Sequence, residues 1–267
     1  MIEPIRDTGT GGQAPRISVV LPVLDGGEPL ARLLTALSGQ RVDGGFELIA
    51  VDSGSRDGSL ERLLASPARV FGVPRRQFGH GRTRNAALSL ARAERVVLMV
   101  QDARPTDPGF LAELAAPLED DRSLAGSYAR QLAPADLDPL QAAAIVRWTP
   151  GGADRRQRAF EPGEFESLAP AARAARCRFD NVASCIQAAT WRRLPFPDVP
   201  FGEDAAWARR VLEAGHDLLY RASVPVIHGH STSALGSFLR DRAAHEMLAR
   251  EFGLRSVPDL TTALHGW

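Results

Sequence analysis

Apolar positions along this chain fall into two alternating patterns. Short, nearly continuous apolar blocks at Ile17–Leu24, Phe46–Val51, Ala68–Val73 and Val96–Val100 are too brief for buried helices and fit strands covered on both faces. Between them the spacing changes to i, i+3, i+4. Leu30, Leu33, Leu34 and Leu37 follow the first block, Leu60, Leu63 and Leu64 the second, and Ala87, Leu88 and Ala91 the third. A strand-helix-strand alternation of this kind predicts an α/β chain with a mostly parallel sheet, right-handed crossovers and flanking helices. The fourth block stops at Gln101-Asp102, and Pro105 closes off the ladder.

Beyond Asp102 the pattern predicts a helix over Pro108–Leu118 and a strand over Ser123–Gln131. Residues 132–175 are rich in Ala, Arg, Pro and Gly, with a helix at Pro139–Trp148 and no clear strand. Insertions of this length near a site close over substrate or serve as ordinary surface packing. A strand at Phe179–Gln187 and a short helix at Ala189–Leu194 follow. A Pro-rich loop then leads to a helix that starts at Glu203-Asp204 and ends at Gly215. The final strand reads in two pieces, Leu218–Tyr220 and Val224–Ile227. Leu235, Phe238, Leu239, Ala243, Met247 and Leu248 then return to helical spacing, with Arg240, Arg242 and Arg250 among them. Its apolar face either packs on the core or rests on a membrane surface. The expected organisation is a single domain: a disordered segment over 1–16, one half over 17–131, a second over 132–233, and a helical segment over 234–267.

Composition narrows the function classes. The 267 residues carry 32 basic and 32 acidic side chains, so net charge favours neither nucleic acid nor an anionic membrane. Every basic residue is arginine, a bias to which no function attaches. No stretch approaches the ~20 apolar residues needed to span a bilayer. The start has no apolar core of a signal peptide. Cys177 and Cys185 lack metal-ligand spacing, and free thiols in a reducing cytoplasm are expected. The expectation is a soluble cytoplasmic protein.

In an open α/β sheet, ligands collect beyond the carboxyl ends of the strands. Val23, Asp52 and Asp102 all stand there. Asp52 opens the small-residue run Asp52-Ser53-Gly54-Ser55-Arg56-Asp57-Gly58, where it either accepts from a ligand or serves structure; Asp57 reads more simply as a helix cap. The loop Phe78-Gly79-His80-Gly81-Arg82-Thr83-Arg84-Asn85 is basic, and a helix start with arginine suits phosphate. Arg82 and Asn85 are the candidates there, whereas Arg75, Arg76 and Arg84 read as a solvated basic turn. Asp102 either holds a hard cation or caps the turn before Pro105. Glu203 and Asp204 at a helix start satisfy the macrodipole, yet Trp207 one turn on gives the pair a second use. His228-Gly229-His230 at the last strand end offers metal ligands or a turn.

Taken together, these pieces resemble an inverting family 2 glycosyltransferase of GT-A fold, from about Ile17 to His230. Val19–Val23, Val51-Asp52-Ser53-Gly54-Ser55 with Asp57-Gly58, and Glu203-Asp204 carry the general likeness. Phe78–Asn85 and Gln101-Asp102-Ala103 resemble the narrower rhamnosyltransferase group. The resemblance implies that Pro22, Val23, Asp52, Ser53, Arg82, Asn85 and Gln101 border the nucleotide, with Asp57 supporting the loop. It implies Mg2+ or Mn2+ on Asp102, with His228 or His230 assisting. Asp204 would be the base, with Glu203 and Trp207 on the acceptor side. The implied donor is a dTDP- or UDP-linked, rhamnose-like sugar. The implied acceptor is a glycan or a lipid-linked glycan, with peripheral contact at the inner face of the cell membrane. Two departures stand out. The family's Asp-x-Asp is Val100-Gln101-Asp102 here, and its Tyr-Asn after the first strand is Leu24-Asp25.

A nucleotidyltransferase shares the Rossmann-like half but needs a basic signature near the first strand, where this chain has Asp25-Gly26-Gly27. A non-catalytic nucleotide-sugar-binding protein is favoured by the missing first acid of Asp-x-Asp. Glu203, Asp204 and Trp207 argue against it.

Overall fold

The computed structural model describes residues 2–9, 13–229 and 233–255. In chain order the elements are β1 (Glu3–Arg6), β2 (Ile17–Val23), α1 (Gly27–Ser38), β3 (Phe46–Asp52), α2 (Ser59–Ala65), β4 (Arg69–Gly72) and α3 (His80–Leu88). Next come β5 (Arg95–Met99), β6 (Arg104–Pro105), α4 (Phe110–Ala115), α5 (Pro117–Asp120), β7 (Leu124–Leu132), α6 (Pro139–Trp148), β8 (Arg155–Gln157), α7 (Glu164–Ser167) and α8 (Pro170–Arg176). The chain ends with β9 (Ala183–Gln187), α9 (Ala188–Arg193), α10 (Glu203–Glu213), β10 (Asp217–Ile227) and α11 (Ala234–Phe252).

One sheet runs in the order β1-β4-β3-β2-β5-β9-β7-β10-β6, with β8 on β10. Strands β2, β3, β4 and β5 are mutually parallel. Strand β9 runs against both β5 and β7, and β10 lies parallel to β7. This alternation brings the ends of β2, β3, β5, β7 and β10, and the start of β9, to one edge of the sheet. Side chains alternate between the two faces of each strand. Ile17, Val19, Leu21 and Val23 of β2 pack with α1, α2 and α4 on one side. Val20 of β2 packs on the other side, with Ala87 and Leu88 of α3 and Trp207 and Val211 of α10. The result is a three-layer sandwich whose sheet continues across the two expected halves.

Several expectations are corrected. The segment 1–16 is not disordered throughout: β1 pairs antiparallel with β4. The Arg6 guanidinium donates to the carbonyls of Ser66 and Ala68, both at 2.5 Å. Asp7 pairs with Arg69 at 2.7 Å. Pro105 does not end pairing, because Arg104 and Pro105 form a short strand beside β10 at the sheet edge, where a missing N–H is tolerated. The helix expected over Pro108–Leu118 is two short ones, with Pro117 opening the second. Insertion 132–175 contains a strand after all, β8, which pairs with the first half of β10. Strand β10 is continuous, and its register shift between Arg221 and Pro225 explains why it read as two pieces.

Candidate active site

The loops after β2 and β3 are knitted together by side chains expected to meet a nucleotide. Asp52 is buried, and its carboxylate accepts from the N–H groups of Gly54 (2.9 Å) and Ser55 (3.1 Å). Ser53 Oγ donates to the Val23 carbonyl at 3.0 Å. Asp57 accepts from Gly27 N–H at 2.7 Å and Ser59 N–H at 3.0 Å. Gln101 uses both ends of its amide on Leu24, accepting from N–H at 2.8 Å and donating to C=O at 2.9 Å. Gln101 is therefore a clamp on the first loop rather than a ligand contact, which corrects the expectation from its position beside Asp102. Pro22 fits its strand because pairing with β5 stops at Val20, so its missing N–H leaves no gap. Asp25 takes a positive φ of 46°, which a short polar residue tolerates.

Helix α3 divides its residues between three uses. Arg82 is exposed, lies 3.4 Å from Asp198, and lines a cavity of about 430 Å³ with Phe78, His80 and Pro200. Asn85 is committed to structure: its amide donates to Phe196 C=O (2.8 Å) and accepts from Trp191 Nε1–H (2.8 Å) and Phe196 N–H (3.1 Å). The nucleotide contact expected of Asn85 is thus replaced by a clamp on the 196–202 loop. Arg84, read as part of a solvated turn, is buried and forms an ion pair with Glu203. Gly81 permits this approach, since a Cβ there would sit 2.3 Å from the Pro197 carbonyl.

Helix α10 is preceded by Gly202, whose φ of +76° would strain any other residue and whose Cβ would press on the Met247 side chain. Glu203 faces inward to Arg84 and Asn181. Asp204 lines a cavity of about 340 Å³ together with His80, Trp148, Phe179, Phe201 and Met247. Asn181 N–H donates to its carboxylate at 3.3 Å and Ala205 N–H at 2.8 Å. Burial, then the charges of Glu203 and Asp180, push the Asp204 pKa up to about 7. Trp207 does not reach this cavity. It is fully buried between Phe179 and Phe196, and its indole donates to Leu194 C=O at 2.7 Å. The acceptor-side role expected of Trp207 is therefore withdrawn. Its position one turn along α10 points it into the core.

At the far end of the edge, Asp102 Oδ2 lies 3.5 Å from His228 Nε2. Asp102 opens on a cavity of about 450 Å³ lined also by Arg32, Arg104 and Gly229. His230 lies outside the described residues. Sequence reasoning missed four residues that join the two ends. His228 Nδ1 meets Gln131 Oε1 at 2.8 Å, and Gln131 Nε2 donates to Asp180 Oδ2 at 3.1 Å. Trp148 Nε1–H reaches the same Asp180 oxygen at 2.9 Å, and Asn181 follows Asp180 to Asp204. Burial pushes Asp180 up to about 6. The available signal was the polar pair Asp180-Asn181 just before β9.

Comparisons with known proteins identify relatives in sequence and in fold. The chain is 25% identical over 255 residues to the O-antigen chain rhamnosyltransferase RfbN of Salmonella typhimurium, covering 89% of this chain and 76% of that one. It is 26% identical over 221 residues to WbaN of Salmonella anatum, also an O-antigen chain rhamnosyltransferase, covering 78% and 66%. In three dimensions it resembles the mannosyltransferase PcManGT from Pyrobaculum calidifontis, solved with GDP-Man and Mn2+ (TM-score 0.65, 17% identity, 96% of this chain and 68% of that one). It also resembles glucosyl-3-phosphoglycerate synthase from Mycobacterium tuberculosis, solved with Mn2+ and UDP (TM-score 0.60, 20% identity, 92% and 82%). These likenesses establish the GT-A fold. The model of the family described as Glycosyl transferase family 2 matches residues 18–193, and the chain belongs to that family.

Proposed function

We propose that this glycosyltransferase moves a rhamnose-like sugar from a nucleoside diphosphate to an acceptor hydroxyl with inversion, Asp204 taking the acceptor proton. The observation that carries this reading is Asp204 itself: of the two carboxylates in the wall of a largely apolar cavity, Glu203 is paired with Arg84, whereas the Asp204 pKa is raised toward neutrality, on the sheet edge that also bears Asp102 and His228. A base poised near the working pH combines the right protonation state with useful driving force. Inversion by direct displacement needs one such base and no enzyme nucleophile. Trp148, in the wall of the same cavity, offers the aromatic face that Trp207 does not.

The nucleotide would lie over the loops after β2 and β3, with its diphosphate toward the exposed arginines. Arg82 lines one cavity, and Arg32 and Arg104 line the one that contains Asp102. No group of three or more His, Cys, Asp or Glu side chains among the described residues forms a metal site, but the pair Asp102–His228, 3.5 Å apart, would let a carboxylate oxygen and an imidazole nitrogen reach one Mn2+, or less readily the oxygen-preferring Mg2+, with phosphate oxygens completing the set. A bound divalent ion would supply charge stabilisation for the departing diphosphate. The rhamnosyltransferase relatives support the sugar, and the solved neighbours' complexes with Mn2+ support the ion. Transfer from dTDP-rhamnose, with the product anomer read by NMR, tests the assignment; a retained anomeric configuration would overturn the single-base mechanism. Asp102→Ala is expected to abolish Mn2+-dependent dTDP binding in calorimetry while the protein remains folded. Unchanged binding would remove Asp102 from the site.

Peripheral contact with a membrane face fits the distribution of apolar side chains. Helix α11 divides along its length: Met247 and Phe252 are buried, whereas Leu235, Phe238 and Leu239 are exposed. Helix α6 adds exposed Leu140 and Val146. No helix among the described residues is long and apolar enough to cross a membrane. Peripheral contact through these helices would bring a lipid-linked acceptor to the cavity. Flotation with anionic vesicles at low salt is expected to carry the protein upward, and Phe238→Asp with Leu239→Ser to abolish that.

A further inference from the structure

We propose that Gln131 is the positioning residue that sets the tautomer and direction of His228, and that Asp180 and Trp148 in turn set Gln131. The inference rests on the reading of Asp102 and His228 as the cation site.

The argument starts from Trp148, whose indole N–H can only donate. Because it points at Asp180 Oδ2 (2.9 Å), that oxygen is an acceptor. Val182 N–H donates to Oδ1 at 3.2 Å, so both carboxylate oxygens face donors. Gln131 approaches the same Oδ2 at 3.1 Å and must present its nitrogen there, since the reversed amide would set oxygen against oxygen. Its Oε1 is thereby turned to His228 Nδ1 at 2.8 Å. An amide oxygen only accepts, so Nδ1 carries the hydrogen. In the neutral ring Nε2 then carries no hydrogen, and it is the nitrogen 3.5 Å from Asp102 Oδ2. Ligating histidines are commonly oriented through the other ring nitrogen in this way.

The chain of bonds is placed where it can hold. Gln131 is 5% exposed and Asp180 6%. Gln131 N–H donates to Thr149 Oγ1 at 3.0 Å, which ties the C-terminal end of α6 to the end of β7. Helix α6 has no buried residue of its own. Its attachments at Trp148 and Thr149 therefore join the insertion to the cation end of the site through Gln131, and to the base end through Asp180-Asn181.

The test is Mn2+ binding in the presence of dTDP, read from the electron paramagnetic resonance of the free ion. Gln131→Leu keeps the volume, removes the acceptor, and is expected to weaken Mn2+ binding by about 10–100-fold. No Mn2+ uptake by the parent would defeat the cation reading, and this inference with it. Parent-like binding by Gln131→Leu would overturn the inference alone. Nitrogen-15 NMR of histidine-labelled parent protein at pH 8, with His228 assigned by its loss in His228→Ala, decides the matter even if Gln131→Leu does not fold. Hydrogen on Nδ1 supports the proposal, and a ring protonated only on Nε2 rejects it.

Discussion

Asp204→Asn is expected to lose sugar transfer by about 10²–10⁴-fold while binding the nucleotide donor as the parent does. The amide fills the same space, and its oxygen still accepts from Ala205 N–H at 2.8 Å, so only the longer 3.3 Å contact from Asn181 N–H is given up at the wall of the cavity. What disappears is the group that can take a proton. Because burial and two neighbouring carboxylates raise the Asp204 pKa to about 7, transfer by the parent should climb as pH rises through that value. Its limb belongs to the interacting acids rather than to Asp204 alone. Stability should move the opposite way. Between an unfolded-state pKa of about 4 and the folded value, the native protein holds the proton more tightly than the unfolded chain does. Raising pH across that window therefore lowers stability. Asp204→Asn should flatten both slopes at once. Parent-like transfer by this variant would place the base elsewhere. Loss of donor affinity would mean that the carboxylate organises the nucleotide side instead.

The fold was legible because its signals are local. Blocks such as Val96–Val100 cannot be helices at that length, and the leucines of α1 repeat at one helical spacing, so the parallel core followed directly. Strands β1, β6 and β8 were not legible. Each is short and lies outside the central parallel run, and the partners that make it a strand are distant in sequence: Glu3 faces Gly72, Arg104 faces Ile227, and Arg155 faces Tyr220. Such pairing leaves almost no trace in the pattern of a three-residue segment.

The site was legible as a set of strand ends but not as a set of contacts. Sequence position brings Gln101, Asn85 and Trp207 near the edge, yet it does not say which way each side chain turns. The structure spends all three on backbone carbonyls and amides at Leu24, Phe196 and Leu194. Buried loop groups must find partners, and an amide or indole one residue from a ligand site is the nearest supply. Conversely, Gln131 and Trp148 stand in segments whose spacing gave no reason to look at them. They matter because β7 and the insertion arrive beside β10, a fact of sheet order rather than of pattern.

The same distinction sets the expectation for Arg84, which looked like one more basic residue in a surface loop. Its side chain is 4% exposed and faces Glu203, itself 6% exposed. Removing one partner of a buried pair leaves a charge with neither water nor a counter-ion, at a cost of about 3–5 kcal/mol. Arg84→Met should therefore lower the thermal midpoint sharply, because among the described residues the Glu203 carboxylate would keep only the Asn181 amide at 3.3 Å. Arg84→Met with Glu203→Leu should recover most of that loss, since no charge is then stranded. Catalysis separates the variants in a second way. Arg84 lowers the Asp204 pKa and Glu203 raises it. Arg84→Met alone should thus shift the alkaline-rising limb of transfer to higher pH, and the double variant should bring it back. A midpoint unchanged in Arg84→Met, measured by thermal unfolding at pH 8, would mean that the pair is not held out of water as its burial indicates.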